Sequence, residues 1–382
     1  MLQQQRRLKM ARSVHAYVRG STREFYAWLT SKIGRAAPAG PPLWICGDCH
    51  VGNLGPIANV QGEVEIEIRD LDQTVVGNPA HDLIRLAVSL ATAIRGSDLP
   101  GVTTALVLEQ MIVGYEQSLK GRRPRSIAAP VRVILARALK RRWRNLADER
   151  IEGVRPEIPR GARFWQLSRQ EEQEIETIIE SEEIRHLLTA LQERDSDDRV
   201  RVVDAAYWVK GCSSLGQLRY AVLVGIGKQK HGRGSLCLVD IKEAGPAAAP
   251  RYRKAVMPSD NAQRVVEGAR KLSPFLGQRM APITFLGRPA ILRELLPQDL
   301  KLEMDQLTAE DAIASARYLA GVVGRAHARQ MNPPQRASWL AELQKCRSKN
   351  LDAPSWLWHS VVQLLAIHES AYLEHCRQFA RP

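Results

Sequence analysis

Hydrophobic periodicity changes near Arg199, and that change limits the architectures open to the chain. Residues 201–209 (Arg-Val-Val-Asp-Ala-Ala-Tyr-Trp-Val), 218–226 (Leu-Arg-Tyr-Ala-Val-Leu-Val-Gly-Ile) and 236–241 (Leu-Cys-Leu-Val-Asp-Ile) are short, apolar and β-rich, with Gly-containing turns between them. Residues 261–273 then have helical spacing, two short strands are expected near 282–286 and 289–294, and the chain from about Thr308 is largely helical, interrupted at Asn332-Pro333-Pro334. A sheet-rich block of about 100 residues between helical blocks is an α+β pattern.

The helical side begins with residues 8–34, where Val14, Tyr17, Val18, Phe25, Trp28 and Leu29 keep helical periodicity up to Gly34. Ala36 to Pro42 reads as a loop, Leu43 to Cys46 as a short strand, and Val64 to Ile68 as a half-buried strand because apolar and acidic residues alternate. After Gly77-Asn78-Pro79 a helix is expected from about Ala80 to Ile94, with further helices over 102–119 and 128–147. Residues 168–193 form an acidic helical region with Ile175, Ile178, Ile179, Ile184 and Leu187 on its apolar side. No internal repeat is visible.

At 382 residues and 45% hydrophobic, the chain can bury a large core in two or three subdomains. No apolar run reaches the roughly 20 residues of a membrane span. The basic start, Met-Leu-Gln-Gln-Gln-Arg-Arg, leads into no apolar segment, so no secretory signal is expected. Six scattered cysteines suit a reduced, cytoplasmic compartment. A net charge of +14 favours anionic partners, whether nucleotide, nucleic acid or acidic lipid. Lys120 to Arg144 is the densest basic stretch, with Leu135, Ala136, Leu139 and Trp143 as an apolar stripe; a solvated helix face and a nucleic-acid surface both remain open.

Residues 46–53, Cys-Gly-Asp-Cys-His-Val-Gly-Asn, carry the chemistry. Asp48 and Asn53 are five residues apart, with His50 between them as a second catalytic candidate. On a tight loop that interval lets a carboxylate face an incoming hydroxyl while an amide oxygen faces a metal, as phosphoryl transfer requires. Downstream, Asp70 closes the strand 64–68 and Asp72 lies at the next same-face position; with Asn53 they form an oxygen donor set suited to Mg²⁺. Lys210-Gly211-Cys212-Ser213-Ser214-Leu215-Gly216 joins two strands and is a candidate phosphate-covering turn, with Gly211, Ser213, Ser214 and Gly216 as contacts. Lys242 sits in an apolar strand and needs a partner, for which Glu267 is the candidate. Glu294, in Arg293-Glu294-Leu295-Leu296-Pro297, falls where a hinge would hold an adenine edge.

Gly47-Asp48-Cys49-His50-Val51-Gly52-Asn53 resembles the Gly-Asp-x-His-x-x-Asn loop of aminoglycoside and choline kinase-like proteins, Asp70-Leu71-Asp72 resembles the Asp-Phe-Gly position, and Lys242 the strand lysine. Gly77-Asn78-Pro79-Ala80-His81-Asp82-Leu83 is similar to the segment in which a later Asp, here Asp82, braces the catalytic loop; Asn78 departs from the usual Asp. With Tyr17–Gly20, Gln263–Gly268 and Gly324–Arg329, these stretches resemble, in order, an uncharacterised bacterial domain-of-unknown-function family numbered 2252, although Cys212, Ser214 and Leu215 dilute the glycine turn. The resemblance implies a protein-kinase-like two-lobe fold and ATP with Mg²⁺ as cofactors. The lysine follows the catalytic loop, so the order is circularly permuted. The expected division is a helical lobe over 1–130, a helical basic and acidic insertion over 131–200, a β-rich nucleotide lobe over 201–305, and a C-terminal helical segment over 306–382 completing the first lobe.

The expected activity is ATP- and Mg²⁺-dependent phosphotransfer to an unidentified small-molecule or protein acceptor, with nucleotidyl transfer open. The alternatives are a nucleotide-binding pseudokinase or a basic nucleic-acid-binding protein. His327 and Arg329 are expected to point toward the site from a helix over Ala314–Gln330. Cys46-Gly47-Asp48-Cys49-His50 also fits haem attachment, half a zinc site or a redox pair.

Overall fold

A computed structural model describes residues 2–31, 37–96, 99–122, 126–141, 157–190, 194–210, 216–227, 235–300, 307–345, 347–348 and 351–379. The helical start is three helices, α1 (Leu2–Met10), α2 (Val14–Gly20) and α3 (Thr22–Thr30). Two serines divide it. The Ser13 side chain accepts from the N–H of Ala16 and starts α2, while Ser21 ends α2 and begins α3 in a non-helical conformation.

Strands β1 (Leu43–Ile45), β2 (Leu54–Ala58), β3 (Val64–Ile68) and β4 (Val75–Gly77) form two small antiparallel ladders, β1 with β4 and β2 with β3. They bind the ends of two loops together, because the chain leaves β1 for residues 46–53 and returns from β3 to β4 through residues 69–74. β2 went unread because Leu-Gly-Pro-Ile-Ala carries two residues that disfavour strands. Pro56 is tolerated in a ladder only two strands wide.

Helix α4 (Pro79–Arg95) starts with Asn78 accepting from the N–H of Ala80 and Pro79 in the first turn; it is buried on nearly every side and forms the centre of the larger core. Helices α5 (Val102–Leu119) and α6 (Ala129–Lys140) follow. The part of the expected 128–147 helix beyond Arg141 lies outside the described residues. After β5 (Phe164–Trp165), the acidic region is two helices, α7 (Arg169–Glu180) and α8 (Glu182–Thr189), because Ser181 is extended between them. Ser168 and Glu171 form a capping box on α7.

Strands β6 (Val200–Trp208), β7 (Arg219–Ile226) and β8 (Ser235–Glu243), helices α9 (Asn261–Leu272) and α10 (Pro274–Gly277), and strands β9 (Met280–Phe285) and β10 (Arg288–Leu295) complete the β-rich block. The six strands form one antiparallel sheet in the order β5-β6-β7-β8-β10-β9. β7 is central and all eight of its residues are buried. Helices α7 and α8 cover one face with Ile175, Ile179, Ile184 and Leu188. Helix α9 packs Val265, Val266 and Ala269 into the larger core instead.

Helices α11 (Ala309–Ala328), α12 (Pro333–Lys345) and α13 (Ser355–Phe379) return the chain to that core. The molecule is thus mixed α+β, with thirteen α-helices among the described residues. No described helix is long and apolar enough to cross a membrane.

Candidate active site

The loop after β1 is pinned from beneath. Asp82, in the first turn of α4, accepts from the backbone N–H groups of Cys46 at 2.7 Å and Gly47 at 3.0 Å, a bracing role as the resemblance implied. The Tyr26 hydroxyl donates to the Gly47 carbonyl at 2.6 Å. Gly47 turns the loop with φ of +75°, and a Cβ there would lie 2.1 Å from the Gln73 carbonyl oxygen, so only glycine fits.

His327 lies below Asp82, not in the cleft. Its Nε2 is 3.1 Å from Asp82 and its Nδ1 is 2.9 Å from the Tyr115 hydroxyl, while Trp339 Nε1 lies 3.1 Å from that same hydroxyl. An indole nitrogen can only donate. The Tyr115 oxygen therefore accepts from Trp339, its O–H donates to Nδ1, and Nε2 donates to Asp82. Arg329 points away too, donating to the Leu272 carbonyl at 2.9 Å.

Asn53 holds the two loops together. Its amide nitrogen donates to the carbonyls of Asp70 at 2.7 Å and Asp48 at 3.3 Å. Those bonds occupy the NH₂ group and leave Oδ1 as an acceptor with no hydrogen bond to it among the described residues, on a residue that lines the cleft. Asp48 also lines the cleft, with His50 Nε2 at 3.9 Å from its Oδ2.

The sequence reading missed Arg85 entirely. It is fully buried on α4 and gives its Nε to Asp48 Oδ1 at 3.0 Å and its Nη2 to the Val18 carbonyl at 2.6 Å. Burial pushes the Asp48 carboxyl above its ordinary value, with Arg85 pulling in the opposite direction.

Behind the cleft, buried Lys242 points from β8 at the second loop. Its ammonium is 3.5 Å from both oxygens of Asp70 and pairs closely with Asp72. Desolvation opposes charge on Asp70, but Lys242, Arg293 and Arg219 outweigh it and hold the carboxyl well below the usual range. Desolvation and then the neighbouring Asp70 push Asp72 up to about 6, against Lys242. Asp240, two residues before Lys242 and on the same strand face, is fully buried between Arg219 at 2.6 Å and Arg293 at 3.0 Å. These arginines charge the sheet wall positively.

Two sequence expectations fall differently. Glu267 is exposed on α9 and is not the partner of Lys242; Asp70 and Asp72 take that place. The residue α9 sends inward is Arg264, which donates to the carbonyls of Asp72, Thr74 and Gly245. Glu294 does not face the cleft: β10 alternates, so Arg293 meets Asp240 while Glu294 turns to the other face and pairs with Arg194 at 2.7 Å. In the covering turn, Gly211, Ser213 and Ser214 lie outside the described residues. Gly216 is exposed with φ of +100°.

The cleft between loops and sheet has a volume of about 440 Å³. A smaller pocket of about 70 Å³ adjoins it, shares Arg69, Lys210 and Arg293, and is walled by Ile57, Leu295, Leu296 and Pro297. Among the described residues no group of three or more His, Cys, Asp or Glu side chains is arranged to hold a metal ion. Asn53 and Asp70 nevertheless supply two hard oxygens, a sufficient protein share for Mg²⁺, which retains several waters. The thiols of Cys46 and Cys49 are buried. Burial pushes Cys46 well up, and Cys49 is raised as well, although its hydrogen bond with Cys46 favours the thiolate. Such thiols are poor nucleophiles and poor metal ligands.

The family model described as "Uncharacterized protein conserved in bacteria (DUF2252)" matches residues 1–378. The chain belongs to the DUF2252 family. No curated protein and no solved structure matches it significantly. In this DUF2252 chain Arg85 and Asp240, which escaped the sequence reading, had a usable signal: Arg85 lies three residues after Asp82 on one helix, and Asp240 two before Lys242 on one strand.

Proposed function

We propose that this DUF2252 protein binds ATP with Mg²⁺ between its sheet and its helical core and transfers the terminal phosphoryl group to an acceptor hydroxyl. One observation carries this reading: Lys242 meets Asp70 and Asp72, about 170 residues earlier, at the cleft that Asp48 and Asn53 line. The order of parts supports it. A hairpin turn, a lysine strand, a helix and a second hairpin ending near the smaller pocket follow the order of the kinase nucleotide lobe, with the catalytic loop displaced to the front of the chain. The proposed lobes are the sheet with α9 on one side and the loops on α4, α5 and α11 on the other.

Lys242, Arg219 and Arg293 supply positive charge for phosphate oxygens. The small pocket would offer the base one apolar wall, Leu295 to Pro297, beside the charged groups of Arg69, Arg141 and Lys210, with no role for the Glu294 carboxylate. Asn53 and Asp70 would hold Mg²⁺, which neutralises charge developing on the phosphates. Asp48 Oδ1 is fixed by Arg85, which leaves Oδ2 to take the acceptor proton. The acceptor oxygen then bonds to the γ-phosphorus, the bond to the bridging oxygen breaks, and ADP leaves with that electron pair.

Asp48→Ala should abolish transfer and spare nucleotide binding, whereas Asp70→Ala should also weaken nucleotide binding in the presence of Mg²⁺. Turnover of ATP by both variants at the parental rate would sink the assignment.

A further inference from the structure

The charges around the acceptor end of the cleft are unequal. All three carboxylates that line it have an ion-pair partner: Asp48 has Arg85, and Asp70 and Asp72 share Lys242. Two cations on the same lining are not. Arg6, half-buried on α1, and Arg23, exposed in the first turn of α3, have no ion-pair or hydrogen-bond partner among the described residues.

Both belong to the Asp48 side. Arg23 follows Thr22, which is hydrogen-bonded to Asp48 and 3.4 Å from Arg85 Nη2. Arg6 is brought there by packing from behind. The carbonyl of Arg7 accepts from His375 at 2.8 Å, the Arg7 guanidinium lies 4.6 Å from the Phe379 ring centre, and the Tyr372 hydroxyl donates to the Ala11 carbonyl at 3.1 Å. Met10 packs on Gly20, where a Cβ would be 3.0 Å from three of its side-chain atoms. The first helix is therefore seated and its Arg6 placed.

A cationic acceptor, such as a quaternary amine or an amino sugar, would enter this end against unmatched like charge and find no unpaired carboxylate among the described lining residues. An anionic group would supply the missing complement, because guanidinium groups bind carboxylate and phosphate oxygens in a fixed fork. We infer that the acceptor is a small hydroxylated compound bearing an anionic oxyacid group, carboxylate or phosphate, held by Arg6 and Arg23 while its hydroxyl faces Asp48. The inference rests on the phosphotransfer reading of the cleft.

The test titrates inorganic phosphate calorimetrically into the full chain saturated with a non-hydrolysable ATP analogue and Mg²⁺, so that the nucleotide already fills its own anion positions. The parent should bind further phosphate. The double variant Arg6→Ala, Arg23→Ala should bind it at least tenfold more weakly, with nucleotide affinity changed less than twofold. Arg23→Ala alone, at an exposed position, should show part of the loss and covers the case in which the double variant fails to fold. Choline titrated in the same way should give no binding. Nucleotide binding with no further phosphate uptake, parental phosphate affinity in the variants, or choline binding would overturn the acceptor class alone. Absence of ATP binding by the parent would overturn the phosphotransfer reading on which it stands.

Discussion

At Asp48 two opposing effects meet. Burial disfavours its charge and Arg85 favours it, and the net displacement is upward. Arg85→Gln removes the opposing cation and lets burial act alone. The carboxyl rises further, so the acidic limb of the proposed transfer should move to higher pH. The pair is mostly buried, so breaking it should also cost about 3 kcal/mol in urea unfolding. Asp48, Asn53 and Asp70 were legible because loop spacing and oxygen chemistry are local. Lys242 was legible as a charge needing a partner, but the partner was misassigned. Helical phase explains why: Val265, Val266 and Ala269 face the core, which turns Glu267 outward and brings Arg264 in. Arg85 was hidden by its setting, since a lone arginine within the apolar run of α4 reads as an outward-facing residue until Asp82 is counted as its neighbour.

Helices α5 and α11 approach so closely that Gly114 has no room for a side chain: a Cβ there would lie 1.9 Å from the Arg317 carbonyl oxygen. Gly114→Ala should destabilise by about 3 kcal/mol, because backbone must move. Gly161→Ala, where a Cβ would meet nothing within 4 Å, should be neutral within about 0.5 kcal/mol. Equilibrium denaturation of the two variants checks the contrast. On α13, His368 is buried with Nδ1 2.7 Å from the Leu364 carbonyl, and desolvation lowers it to about 4. Its folded value lies below the unfolded one, so its stabilising share is complete above about pH 6.5 and is lost as pH falls toward 4, by up to about 1.4 kcal/mol per unit. His368→Leu should flatten unfolding free energy against pH in that window; an unchanged slope would refute the assignment. Among elements, long periodic helices and the β-rich block were readable. The break at Ser181 and strand β2 were not, since one rests on the backbone of a single serine and the other overrides its own Gly and Pro by pairing.

Three hydrophobic clusters fill the described residues, the largest around α4, α5 and α11 and one on each face of the sheet, and the cleft lies between the helical block and the sheet. Lys242 belongs to the sheet and Asp70 to the other side, so a nucleotide gripped by both, as proposed, would link them. ATP with Mg²⁺ at about a hundredfold excess over its Kd should raise unfolding free energy by about 2.7 kcal/mol, and Asp70→Ala should largely remove the gain in a thermal melt. This meeting of distant stretches was not readable from spacing. It depends on the β1–β4 and β2–β3 ladders, which place both acidic loops beside a sheet that comes more than a hundred residues later.

The seat of α1 on α13 joins positions 361 residues apart, as in the Tyr372 bond to Ala11. Synthesis runs from the N-terminus, so a nascent polypeptide on the ribosome emits its opening helix long before the segment that receives it. During that interval Arg6 has no seat, and the emerging helix is open to chaperones and proteases. On the acceptor reading proposed above, the anion-holding arginine gains its support only once α13 has been made.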